Sequence, residues 1–124
     1  MAHGEFKVAK QAGARGYFGR VSLDAELDSG SGAIQVEFDR DRANRWQSGA
    51  RFGIDYVLEH IPKQKYFPNG IRVHVACIEG HEVDTDSSLI AYVTAIALFQ
   101  ALGIVNPKKR PDLIEETGFV VFPK

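Results

Sequence analysis

Apolar and polar positions alternate in three long stretches of this chain and fall on a helical stripe in two others. From Arg20 to Leu27, Val21, Leu23, Ala25 and Leu27 share one side, and Arg20, Ser22, Asp24 and Glu26 the other. That is the period of a half-buried strand. Ala33 to Asp39 repeats it, with Ile34, Val36 and Phe38 against Gln35, Glu37 and Asp39. The cluster Asp28-Ser29-Gly30-Ser31-Gly32 between the two runs is a turn, so together they predict an antiparallel hairpin. Ile71, Val73, Val75 and Cys77 alternate with Arg72, His74 and Ala76, which predicts a third long strand with Cys77 on its apolar side. Phe6 and Val8 suggest a short opening strand, and the continuous run Phe119 to Phe122 a closing one. The glycine-rich stretch from Gln11 to Gly16 reads as a flexible loop.

Between the strands the period lengthens. Trp46, Ala50, Ile54, Val57, Leu58 and Ile61 make one stripe of a helix. Gly49 and Gly53 weaken it by about 1 kcal/mol each relative to alanine unless close packing requires them. Pro62 and the turn Tyr66-Phe67-Pro68-Asn69-Gly70 end it. Leu89, Ile90, Val93, Ile96, Ala97 and Leu102 give a second, broadly apolar helix, with Asp86 as N-cap and Gly103 at its exit. Strands with two helices, and a sheet covered on one face, predict a two-layer α+β sandwich. We expect a mixed sheet of about four strands with two helices on one face, in a single domain over residues 1–124.

Composition narrows the function. The net charge is -1, from 15 Lys and Arg against 16 Asp and Glu, so any nucleic-acid or membrane site must be a local patch. The single cysteine, Cys77, excludes an internal disulfide and a multi-cysteine metal site. Met1 to Lys10 lacks the apolar core of a signal peptide, and Leu89 to Leu102 is too short to span a bilayer. A cytoplasmic location without membrane contact is the expectation.

Neither nucleotide-binding glycine motif is present, and the glycine loop leads into a strand rather than a helix N-terminus. His3, His60, His74 and His81 lack metal-ligand spacing, and Glu79, Glu82, Asp84 and Asp86 do not match the calcium loop. Cys77 reads as a core thiol, and Ser87 and Ser88 have no evident base. No metal, cofactor or catalytic residue is expected. The first 22 residues carry Lys7, Lys10, Arg15 and Arg20 against one acid, Glu5. A glycine-rich loop bearing an arginine can enter an RNA groove and contact phosphates or splayed bases. Solvated charges around core aromatics are the plainer explanation of the same residues.

The segment Lys10-Gln11-Ala12-Gly13-Ala14-Arg15-Gly16-Tyr17-Phe18-Gly19-Arg20-Val21 resembles Arg-Gln-Thr-Gly-Gly-Arg-Gly-Gln-Tyr-Gly-His-Val, which opens domain IV of translation elongation factor G. Gln11, Gly13, Arg15, Gly16, Gly19 and Val21 coincide without a gap. A second block, Glu79-Gly80-His81-Glu82-Val83-Asp84-Thr85-Asp86-Ser87-Ser88, resembles the family's Asp-Gly-Ser-Tyr-His-Asp-Val-Asp-Ser-Ser. Weaker likenesses extend the resemblance over about residues 5 to 122. It implies a ribosomal protein S5 domain 2-like fold with a left-handed βαβ crossover. It also implies a tip of two loops that enters the decoding region of the small ribosomal subunit. Carried over, Lys10, Gln11, Gly13, Arg15, Gly16, Arg20 and His81 are the expected RNA-binding residues. Three departures stand out: Val83 replaces the family's tip histidine, Ala14 a glycine, and Arg20 a histidine. Glu82 adds a carboxylate to the second loop. With no GTPase in the chain, either it is a fragment of a larger factor or a stand-alone relative. The expected function is a non-catalytic module binding the ribosome or structured RNA. The alternative is a protein-interaction or scaffold domain that kept the fold and lost RNA binding. A small enzyme, as in the GHMP-type kinases of the same fold, is disfavoured by the missing phosphate loop.

Overall fold

A computed structural model of the chain describes residues 2–12, 15–27, 30, 32–39, 45–81, 84–114 and 117–124, with backbone only at residues 11, 12 and 15. The elements in order are β1 (Ala2–Ala12), β2 (Arg15–Leu27), β3 (Ile34–Phe38), α1 (Gln47–Glu59), α2 (Lys63–Tyr66), β4 (Ile71–Glu79), α3 (Ser87–Ala101), β5 (Asp112–Ile114) and β6 (Phe119–Val121). The four long strands form one mixed sheet in the order β1-β2-β4-β3. β2 runs antiparallel to both β1 and β4, while β3 lies parallel to β4. Helices α1 and α3 pack on each other, and α3 lies on β1 and β2. The architecture is the two-layer α+β sandwich expected from the pattern.

Two pairings differ from expectation. β2 and β3 are not a hairpin, because β4 sits between them. Period-two alternation tells which face of a strand is buried but not which strand lies beside it. The hairpin partner of β2 is β1, which spans 11 residues rather than a short run. The stretch read as a flexible loop is therefore mostly strand, up to Ala12 and from Arg15 onward. The closing run does form a strand, β6, but it pairs with β5 in a separate two-stranded sheet.

Burial follows chemistry on the two faces of the main sheet. Val21, Leu23 and Ala25 of β2 and Ile71, Val73 and Val75 of β4 are buried. The opposite face is charged and laced by cross-strand pairs. His3 Nδ1 lies 3.0 Å from Asp24, Arg72 reaches Glu26 and Glu37, and His74 reaches Glu37. The Asp24 hydrogen bond raises the His3 pKa above its usual value.

A bulge opposite Ser22 and Leu23 shifts the phase of β4, so Ser22 pairs with Cys77 and Leu23 with Val75. Beyond it Ile78 turns inward and is buried. Cys77 is half-buried on the charged face beside Arg20 and Glu79, rather than in the core. One extra residue reverses every later side chain, and alternation alone does not reveal where it falls.

Helix α3 is buried almost all round, from Leu89 to Phe99. Its N-terminus is capped as expected, with the Leu89 amide donating to Asp86 Oδ1 at 2.8 Å. Asp86→Ala is expected to cost about 1 kcal/mol of folding free energy, measurable by urea denaturation. The loss of an N-cap should lower the midpoint without changing the slope.

Candidate functional site

The β1–β2 hairpin outruns the rest of the sheet. β2 pairs with β4 only from Arg20, whose partner is Glu79 at the end of β4. Beyond that point β1 and β2 continue as a two-stranded ribbon to the pair Ala12–Arg15. The chain leaving β4 folds back along this ribbon, so two segments some sixty positions apart in sequence lie side by side.

Backbone bonds and one hydroxyl join them. The Phe18 amide donates to the Asp84 carbonyl at 2.9 Å. The Thr85 hydroxyl donates to the Phe18 carbonyl at 2.6 Å and accepts from the His81 amide at 2.7 Å. Thr85 is buried, at 8% exposure, so this hydroxyl satisfies two polar groups of the backbone that water would otherwise have to meet. The rings of Phe18 and His81 stack with centroids 4.1 Å apart and planes within 6°. Lys7 Nζ lies 5.8 Å from the Phe18 ring centre, within cation–π reach. At Gly16 the approach is close, because an added Cβ would stand 3.1 Å from Asp84 Oδ1.

Among the expected site residues, Gly16 lies against Asp84, and His81, which is exposed, lies against Phe18. Lys10 sits on the ribbon opposite Tyr17, also exposed. Gln11 and Arg15 occupy the last rungs, pairing with Gly16 and Ala12 respectively. Gly13 lies outside the described residues, as do Glu82 and Val83 of the second loop.

Arg20 differs in setting. It lies at the base of the ribbon, where its Nε donates to Glu5 Oε2 at 3.2 Å and its Nη1 meets Glu79. Its guanidinium is 26% exposed. The Glu5 hydrogen bond raises the Arg20 pKa further, and the same bond lowers that of Glu5. A cation counted toward the positive balance of the first 22 residues thus faces two carboxylates in the fold. The sequence pattern presents Phe18 as a core aromatic and gives Thr85 no role, yet these two residues hold the loops together. Neither carries a local signal for this union, since the bond that joins them spans 67 positions.

A small polar groove of about 130 Å³ runs between the loops, lined by Gly16, Tyr17, Asp84 and Thr85 among others. Among the described residues, no group of three or more His, Cys, Asp or Glu side chains is placed to hold a metal ion. No described helix is long and apolar enough to cross a membrane.

With this geometry the chain is an α+β sandwich carrying a two-segment tip, and solved structures share the fold. A crystal structure of a protein from Thermus thermophilus matches with a TM-score of 0.63 and 22% sequence identity. The match covers 82% of this chain and 16% of that one. No family model matches the chain, and no curated protein matches it.

Proposed function

We propose that the chain is a non-catalytic module of the kind that forms domain IV of elongation factor G, binding the small ribosomal subunit or structured RNA through its tip. The observation that carries this reading is the lateral union of residues 16–18 with residues 81 and 84–86 through Phe18, His81 and Thr85. Both segments are the ones whose sequences resemble the family's tip loops. In this reading Lys10 and Arg15 meet phosphates, Gln11 meets a base or sugar, and His81 stands in for the family's tip histidine. Arg20 steadies the base of the ribbon through Glu5 and Glu79. The groove between the loops, at about 130 Å³, falls below the roughly 300–1,000 Å³ typical of small-molecule sites, which favours a surface contact at the tip. A 16% share of a longer solved chain is compatible with a module that works beside a GTPase domain in a larger cytoplasmic factor.

Fluorescence anisotropy with labelled protein and purified small subunits tests the proposal. Binding should weaken as salt rises, and Arg15→Ala should weaken it about tenfold and reduce the salt slope by about one. No binding at low salt, or an Arg15→Ala variant as tight as wild type, would overturn it.

A scaffold role remains the second reading, favoured by the near-neutral net charge, the acidic second loop and the Val83 that replaces the family's tip histidine. It predicts co-purification with one protein partner that survives nuclease treatment.

A further inference from the structure

The other end of the molecule holds a larger cleft. Helix α3 begins beside the tip and runs 15 residues, about 22 Å at 1.5 Å per residue. Near its far end a cleft of about 440 Å³ opens between the ends of α1 and α3, the short α2 and the segment after α3. Three lysines line it, Lys65, Lys108 and Lys109, together with His60. No aspartate or glutamate is among the described residues lining it. In a chain of net charge -1, that is a marked separation of charge. Helix C-termini attract cations, but two of them supply only about half a negative charge each, against Lys65 and Lys108 besides the engaged Lys109. A positive excess remains for an outside anion to meet.

The walls are flat and apolar as well as basic. Tyr66 and Phe99 both line the cleft, and Lys65 Nζ lies 5.3 Å from the Tyr66 ring centre. The basic wall is anchored from behind. The buried Tyr56 hydroxyl lies 2.6 Å from the Lys109 carbonyl and 2.7 Å from that of Pro123, fixing the backbone that carries Lys108 and Lys109. Lys109 Nζ also donates to the Lys124 carbonyl at 2.5 Å, which leaves Lys65 and Lys108 as the more open pair.

The geometry points to a second site in this cleft, one that takes a nucleotide, with phosphate on Lys65 and Lys108 and the base against Tyr66. The nucleotide can come free or as a unit of a single-stranded RNA, since a flat ring beside a phosphate is common to both. This site is independent of the tip, from which α3 separates it.

Titration of nitrogen-15-labelled protein with adenosine 5′-monophosphate and with a hexa-adenylate RNA, followed by amide chemical shifts, tests the assignment. Both probes should move signals of residues 60–66 and 104–109, and any shifts the hexamer also causes at the tip belong to the tip's own site. Saturation by the mononucleotide at concentrations similar to the hexamer marks a free-nucleotide site. A hexamer that binds about tenfold or more tightly marks an RNA strand, and either result supports the cleft. The Lys65→Glu, Lys108→Glu double variant should bind the hexamer at least about tenfold more weakly and lose roughly 1.4 of salt slope. Both substitutions are on exposed side chains, and an unchanged amide spectrum elsewhere confirms folding. Absence of shifts with both probes, shifts confined to the tip, or a double variant that binds like wild type would overturn the assignment. Arg15→Ala should leave the shifts at residues 60–66 and 104–109 unchanged, so failure of the cleft and failure of the tip are separate results.

Discussion

Gly53→Ala is expected to lower the melting temperature by up to about 8 °C, although alanine is the better helix former. The residue lies on α1 where it crosses α3, and an added Cβ would stand 2.3 Å from the Ala91 carbonyl oxygen. Gly49 meets Ser87 in the same way, at 2.5 Å from its carbonyl oxygen. These obstacles are backbone, so the helices themselves must move apart. Overpacking of this kind costs about 1–3 kcal/mol, against a gain of up to about 1 kcal/mol from helix propensity. For a domain of this size, 1 kcal/mol shifts the midpoint by about 4 °C. Calorimetry decides the sign. A variant that melts higher than wild type would mean that α1 and α3 do not approach so closely in solution.

The second large effect falls on the tip. Thr85→Val keeps the shape of the side chain but removes the hydroxyl that serves His81 and Phe18. Two backbone groups then lack their partner, at about 1–3 kcal/mol each where water does not replace it. We expect a loss of about 2–4 kcal/mol in denaturant unfolding. Amide exchange at His81 should also quicken, because its acceptor is gone. Thr85→Ser, which restores the hydroxyl, should recover most of the loss. Equal destabilisation by serine and valine would assign the effect to the lost methyl contact and remove Thr85 from its bridging role.

Much of this architecture can be read from the order of residues. Helix α3 announces itself through its apolar breadth and the capping aspartate, and the observed cap is the expected one. The alternating faces of β2 and β4 are the faces found buried, except at Leu27, which ends β2 exposed at 42%, and at Cys77. What the pattern does not carry is adjacency. β2 and β3 follow each other closely and share a period, yet β4 enters between them, because pairing depends on the whole sheet rather than on neighbouring turns. Cys77 shows the same limit on a smaller scale, where a single bulge moves it to the charged face. Strands β5 and β6, with three residues each, are too short to display a period of their own.

The tip is legible in a different way. Similarity to a family picks out both of its segments, while composition alone favours solvated charges. Their union rests on Phe18, Thr85 and His81, whose contacts span more than sixty positions. No local spacing rule anticipates such contacts. The partnership of Arg20 with Glu5 and Glu79 is equally hidden, since the three residues lie on three different strands. That ion triad engages Arg20 at the base of the ribbon, so the proposed reading assigns RNA contact to Lys10 and Arg15 instead.

Cross-linking most directly tests whether the ribbon end is the surface that meets RNA. In a Cys77→Ser background, a single cysteine placed by Lys10→Cys and another by Lys108→Cys can each carry a photoreactive group. The two proteins are then irradiated with small ribosomal subunits. Our account predicts that the label at position 10 joins ribosomal RNA and that Arg15→Ala sharply reduces this product at subsaturating protein. Joining from position 108 alone, with none from position 10, would contradict it.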